Sequence, residues 1–295
     1  MSRRTGHAIL WLASLCLSAV ALADETGSLR SPSTIVPVCE PAARSAVGAS
    51  AGPKRLPRLF GKLTQSRHSD MIGDWTLDAV APDAPVAGRG GITTSDRGLI
   101  SAFDLCSDYP DGRAPEPGKQ WLDAPTGLVV SMVSARPAGT SGRGWPGFQC
   151  SFRFHDVADP TLFVDLRPED VPPFNTITGI VRQGSALYVS LQFNGYAREI
   201  KRNGNRVVAL DLCRHSREWV SASLVSNAAM LLWGDYLITG YGFTAEPDYL
   251  FALDRHTGKV VQRVKVATGP SELRVQDGVL YVRLYDGYAA VRLLR

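Results

Sequence analysis

Self-similarity constrains this chain more than any single motif does. The run "ALDRHTG" begins at Ala252, "ALDLCRHS" begins 43 residues earlier at Ala209, and "AFDLCSD" at Ala102 is a more distant copy. Each follows an alternating apolar run, "YLFALD", "RVVALDL" or "GLISAFDL". Another strand-like run comes next, "KVVQRVKV", "EWVSASL" or "GKQWLDA", with Gln262, Trp219 and Trp121 at similar places. The spacing of 43 recurs between "LITGYG" from Leu237 and "LYVRLY" from Leu280; "LYVSLQF", "GLVVSMV" and the poorer "GITTSD" extend that series. "NTITGIV", "NAAMLLWG" and "SELRVQD" supply one more strand per unit. Strict alternation marks strands rather than helices. Four short strands over roughly 40 to 50 residues make the unit of a β-propeller, in which stacked blades bury both faces of each small sheet. The expected fold class is all-β.

The hairpin "LFALDRHTGKVVQRVKV" resembles the repeat of quinoprotein-like (PQQ-type) β-propellers, with Ala252, Asp254, Thr257, Gly258 and Lys259 at the matching places. A tryptophan commonly closes that repeat, and Gln262 or a neighbour replaces it here. The other copies are more degenerate; "CRHSRE" lacks the Thr-Gly pair. The resemblance implies a propeller fold and no particular activity. Blades are expected near residues 74–124, 125–170, 175–226, 227–268 and 269–295. That makes five, or six if "RLFGKLT" in the preceding linker adds strands. The last unit holds three runs before Arg295, so an N-terminal strand is expected to complete it. The apolar, β-branched "STIVPVC" (Ser33 to Cys39) is the expected strand. The expected organisation is therefore a leader over 1–23, an N-terminal strand and linker over 24–73, and a propeller over 74–295.

Arg3, Arg4 and the apolar run from Ala8 to Ala23 have the form of a secretory signal, with Ala21-Leu22-Ala23 as the cleavage pattern. The run is short for a membrane span. Removing Arg3 and Arg4 with it lowers the net charge from +4 to +2, which gives no support for nucleic-acid binding. The expected location is the periplasm or the outside of a bacterial cell. The chain is expected to be monomeric and not membrane-spanning. Cys39, Cys106, Cys150 and Cys213 then read as two disulfides. Cys106 and Cys213 fall at equivalent points two blades apart, beyond the roughly 7 Å that bonded Cα atoms allow. That leaves two pairings open: Cys39–Cys106 with Cys150–Cys213, or Cys39–Cys213 with Cys106–Cys150.

The sequence contains no nucleophile elbow, P-loop, zinc-protease motif or EF-hand loop. The histidines beyond the leader are scattered, with His215 and His256 in turns. Asp104, Asp211 and Asp254 recur with the repeat and read as turn makers that accept main-chain N–H bonds. No catalytic residue, metal ligand or cofactor is assigned. The loops carry more information. "SARPAGTSGRGWPG" presents Arg136, Arg143 and Trp145; "NGYAREIKRNGNR" presents Tyr196, Arg198, Lys201, Arg202 and Arg206; "RPEDVPPFN" presents Phe174. In propeller topology these three loops open on one end and form a basic face studded with aromatics, residue types that anchor protein contacts. Two functions compete on this reading. One is a non-enzymatic binding or scaffold protein of the cell envelope, contacted on that face or by strand pairing at a blade edge. The other is an enzyme, a lactonase-like hydrolase or a quinoprotein-type oxidoreductase, with an axial metal or cofactor. The chain is short beside the eight-bladed rings that the resemblance implies for quinone carriers. Fold alone decides neither, and the loop composition favours binding.

Overall fold

Along Arg206–Asp211, Val208 and Leu210 are buried on one side and Val207 and Ala209 on the other. A strand buried on both faces belongs to a sheet sandwiched between two others. The computed structural model describes residues 39, 56–66, 117–118, 120–123, 126–140, 146–167, 176–192, 203–227, 230–243 and 246–294, all within one compact unit, Val38–Arg295. Among them are sixteen strands in four antiparallel four-stranded sheets.

The N-terminal strand is β1 (Phe60–Ser66). Sheet I holds β2 (Gln120–Asp123), β3 (Leu128–Thr140), β4 (Pro146–Asp156) and β5 (Phe163–Leu166). Sheet II holds β6 (Thr176–Gln183), β7 (Ala186–Gln192), β8 (Arg206–Asp211) and β9 (Ser216–Val220). Sheet III holds β10 (Met230–Trp233), β11 (Tyr236–Phe243), β12 (Glu246–Asp254) and β13 (Val260–Lys265). Sheet IV holds β14 (Pro270–Gln276), β15 (Val279–Leu284) and β16 (Gly287–Leu293), with β1 as its outer strand. Within each sheet the strands follow one another up and down. The first strands β6, β10 and β14 contact in succession, and the outer strands contact as β5 with β9 and β13 with β1. This is how propeller blades are built and stacked.

Three apolar layers lie between the four sheets. Phe152, Phe154 and Leu128 meet Leu187, Val208 and Leu210 between sheets I and II. Tyr188, Val207 and Ala209 meet Met230, Leu237, Phe251 and Leu253 between sheets II and III. Leu231, Ile238, Leu250 and Ala252 meet Leu273, Leu280, Val282 and Phe60 between sheets III and IV.

Three expectations need correction. An N-terminal strand does complete the last sheet, but it is Phe60–Ser66 rather than Ser33–Cys39. The segment that reads as a linker strand is thus the closing strand, with Phe60 opposite Leu293 and Ser66 opposite Tyr288. Leu59 and Phe60 bring the apolar surface the III/IV layer needs, being 0% and 2% exposed. Residues 33–38 lie outside the described residues. Second, Gln120–Asp123 is not the outer strand of a preceding unit; it pairs with β3, Trp121 opposite Val130, as the first strand of sheet I. The tight connection through Gly127 (φ +66°) folds it back on its neighbour, so Trp121 is not the counterpart of Trp219. Third, most of "SARPAGTSGRGWPG" is strand: β3 and β4 pair as far as Thr140 opposite Pro146.

Cys39 is bonded to Cys213, with Cα atoms 5.7 Å apart, which realises the bond that one of the two open pairings contains. Cys150 is also disulfide-bonded, and its partner lies outside the described residues, as Cys106 does. Such a bond is compatible with an oxidising compartment. Among the described residues no helix is long and apolar enough to cross a membrane.

A candidate binding groove between the second and third sheets

The outer strand of sheet II is short. β9 ends at Val220, and the chain continues irregularly, held by Ser221, whose N–H donates to Val207 O (2.9 Å). Val207 N–H in turn donates to Ser221 Oγ (2.9 Å). Leu224 N–H donates to Gly204 O and Val225 N–H to Asn205 O, each at 3.0 Å. Leu224 itself sits at φ 59°, a left-handed conformation costly for a bulky side chain. On the facing sheet the pleat of β12 sends Tyr249, Phe251 and Leu253 toward sheet II. β13 runs beside them with Arg263 opposite Phe251.

The irregular segment after β9 faces the surface of β12 and β13. The result is a groove of about 510 Å³ lined by Leu224, Val225, Tyr241, Tyr249, Phe251 and Arg263, among others. Tyr241 and Phe251 are buried in its floor and Val260 is exposed at its rim. The Arg263 guanidinium lies 5.1 Å from the centre of the Tyr249 ring while its side chain remains exposed. The Tyr241 hydroxyl donates to Glu246. Gln262 belongs to the opposite face: its Oε1 accepts the N–H groups of Leu59 (2.9 Å) and Phe60 (2.8 Å), and its Nε2 donates to Phe60 O (3.1 Å). Aromatic floor, apolar walls and one cation at the rim suit an apolar group with a neighbouring negative charge.

None of the nine residues expected to form a basic face lines this groove among the described residues. Arg206 is half-buried against its own sheet, donating from Nη1 to Ser221 O (2.6 Å) and from Nη2 to Asn203 Oδ1 (2.7 Å). Burial holds its guanidinium below the ordinary pKa. It braces the wall that Ser221 begins. Arg136 occupies β3 opposite Gln149, with its side chain outside the described residues. Arg143, Trp145, Phe174, Tyr196, Arg198, Lys201 and Arg202 also lie outside them. The residues that sequence reading missed, Tyr249 and Arg263, sit in the best-preserved copy of the repeat. There the alternation shows a strand but not that an irregular segment of another sheet faces it.

The carboxylates of the repeat act as turn makers. Asp211 Oδ1 accepts the N–H groups of Cys213 and Arg214 (both 2.9 Å), and Asp254 Oδ1 those of His256 (2.8 Å) and Thr257 (3.2 Å). Asp156 does the same for Ala158 and Asp159 at the end of β4, a copy the sequence pattern hides; Asp104 lies outside the described residues. His215 packs its ring on Phe163, 4.5 Å between centres, with Nδ1 2.6 Å from Phe163 O. Among the described residues no three His, Cys, Asp or Glu side chains are grouped to hold a metal ion.

No protein-family model and no curated protein matches the sequence. Several solved structures are similar to part of this chain. They include the computationally designed Ika4 protein, at 10% identity over 57% of this chain and 86% of that one, TM-score 0.35. BamB from Moraxella catarrhalis is similar at 13% identity over 60% of this chain and 57% of that one, TM-score 0.35. A gluconolactonase from Xanthomonas campestris is similar at 12% identity over 60% of this chain and 71% of that one, TM-score 0.30.

Proposed function

We propose that this chain is an exported β-propeller of the cell envelope that binds another protein and carries out no chemistry of its own. The observation that carries this reading is the open aromatic groove between sheets II and III, with Arg263 at its rim. Its aromatic floor and the cation at its rim suit contact with a protein segment, since aromatic and arginine side chains anchor protein contacts. The disulfide between Cys39 and Cys213 supports a location outside the reducing cytosol. The ring is proposed to hold five blades, after cleavage of a leader near Ala23. The basic loops bearing Arg198, Lys201 and Arg202 are proposed to extend the binding face.

The test is capture of an envelope partner by the purified mature protein. Reversing Arg198, Lys201 and Arg202 to Glu abolishes capture and leaves thermal stability unchanged. A stoichiometric metal or quinone in the purified protein, with turnover of a substrate, would contradict the binding reading.

A further inference from the structure

β13 is the last strand of its sheet among the described residues, so one row of its main-chain N–H and C=O groups faces away from β12. Its sequence, VVQRVK, carries no acid. Lys259 just before it, and Arg263 and Lys265 within it, are all exposed. Such charges keep the edges of two like copies apart. The same charges attract an acidic strand. The groove adjoins this edge on the face that carries Arg263 and Val260, and Val260 is 40% exposed.

We propose that the edge of β13 receives an extended acidic segment of a partner protein as a fifth strand. A carboxylate of that segment meets Arg263, and an apolar side chain two residues away enters the groove beside Val260 and Leu224. The spacing follows from the pleat, because residues two apart share a face of the added strand. Main-chain bonds to β13 supply sequence-independent affinity, and the pattern apolar-x-acidic supplies selection. The stacking of Arg263 on Tyr249 holds the guanidinium at the rim in advance of binding. This inference rests on the protein-binding reading and names the chemistry of the partner.

The probe is the peptide acetyl-Thr-Phe-Thr-Asp-Thr-Phe-Thr-amide carrying a fluorophore, which places an aromatic group two residues from the acid in either strand direction. Its binding to the purified protein is read by fluorescence anisotropy. Arg263→Glu weakens it about tenfold or more, and the same peptide with Lys for Asp binds the variant better than the native protein. The peptide is also N-methylated at alternate residues in two versions, and only one version keeps its binding, since only alternate N–H groups face β13. Arg263 is exposed, so the variant keeps its thermal unfolding curve. Absence of binding by the acidic peptide overturns the proposal, as do equal affinities for native and Arg263→Glu protein or indifference to both N-methylation patterns. If an envelope partner is still captured by Arg263→Glu while the peptide does not bind, the binding reading stands and the β13 groove is excluded.

Discussion

Gly258 shows how one residue can join two sheets. It takes φ +69° in the turn after β12, and a Cβ there would stand 2.4 Å from the Trp219 ring of sheet II. Trp219 Nε1 donates to Arg255 O of the same turn (3.0 Å), so the indole is held flat against a backbone that only glycine leaves clear. Gly258→Ala should destabilise the protein by roughly 1 to 3 kcal/mol, read by chemical denaturation; an unchanged midpoint would show that the Trp219 contact yields freely. The motif "HTG" announces this glycine in the sequence, and Asp254 announces the turn. What the motif does not contain is the neighbour. Trp219 is 39 positions away, and only the stacking of sheet II on sheet III brings it to the glycine. Leu224 is less legible still, since nothing in "SASLVS" marks a left-handed residue.

At the scale of elements, each sheet reaches into the next by a comparable device. Trp219 lies opposite Ala209 and Gln262 opposite Ala252, so the alignment of these two units in the sequence is also an alignment of register. Trp219 meets the following sheet's turn, and Gln262 meets the main chain of Leu59 and Phe60 on the way into β1. Gln262→Leu would leave two buried N–H groups without their acceptor, a loss of roughly 1 to 3 kcal/mol. Hydrogen exchange should show this as faster exchange confined to β1 and its approach, and a uniform change across the sheets would contradict it. The third device is ionic. Arg182 of β6 pairs with Asp156 of sheet I and donates to Thr126 O (3.0 Å), with side chains only 13% and 10% exposed. Burial pushes the Asp156 carboxyl up, but the Arg182 guanidinium and the N–H groups of Asp159 and Ala158 outweigh it and hold the pKa below the usual carboxylate range. A carboxyl held low stabilises the fold above about pH 4, and that contribution is lost as pH falls through its folded value. Arg182→Met should therefore cost most near neutral pH, roughly 3 to 5 kcal/mol. The gap to the native protein should close as the pH falls below about 4. A gap independent of pH would show that Arg182 acts only by packing. No repeat signature marks Arg182 or Asp156, because the pair joins two different units.

For the whole molecule, alternation and the 43-residue period were enough to expect four-stranded sheets stacked face to face. They were not enough to place the ends. Closure of sheet IV depends on which N-terminal residues bury apolar surface against Leu293 and its neighbours. "STIVPVC" has the better strand composition, yet its cysteine is bonded to Cys213 on sheet II, while the plainer Phe60–Ser66 pairs with β16. Strand propensity is a weak guide where long-range partners decide. The candidate site was hidden for a similar reason: the groove is lined by the irregular segment after β9 and by residues of β11, β12 and β13, so it is a property of two sheets. The partner proposed above occupies this groove. The most direct measurement places a photo-reactive benzoylphenylalanine at Val260, on the rim, in cells that produce the protein, with Val157 of sheet I as the control position. Both sites are exposed, at 40% and 51%. The prediction is a covalent adduct with one envelope protein from Val260, absent from Val157 and suppressed by Arg263→Glu. No adduct from Val260, or one that survives Arg263→Glu undiminished, would contradict it.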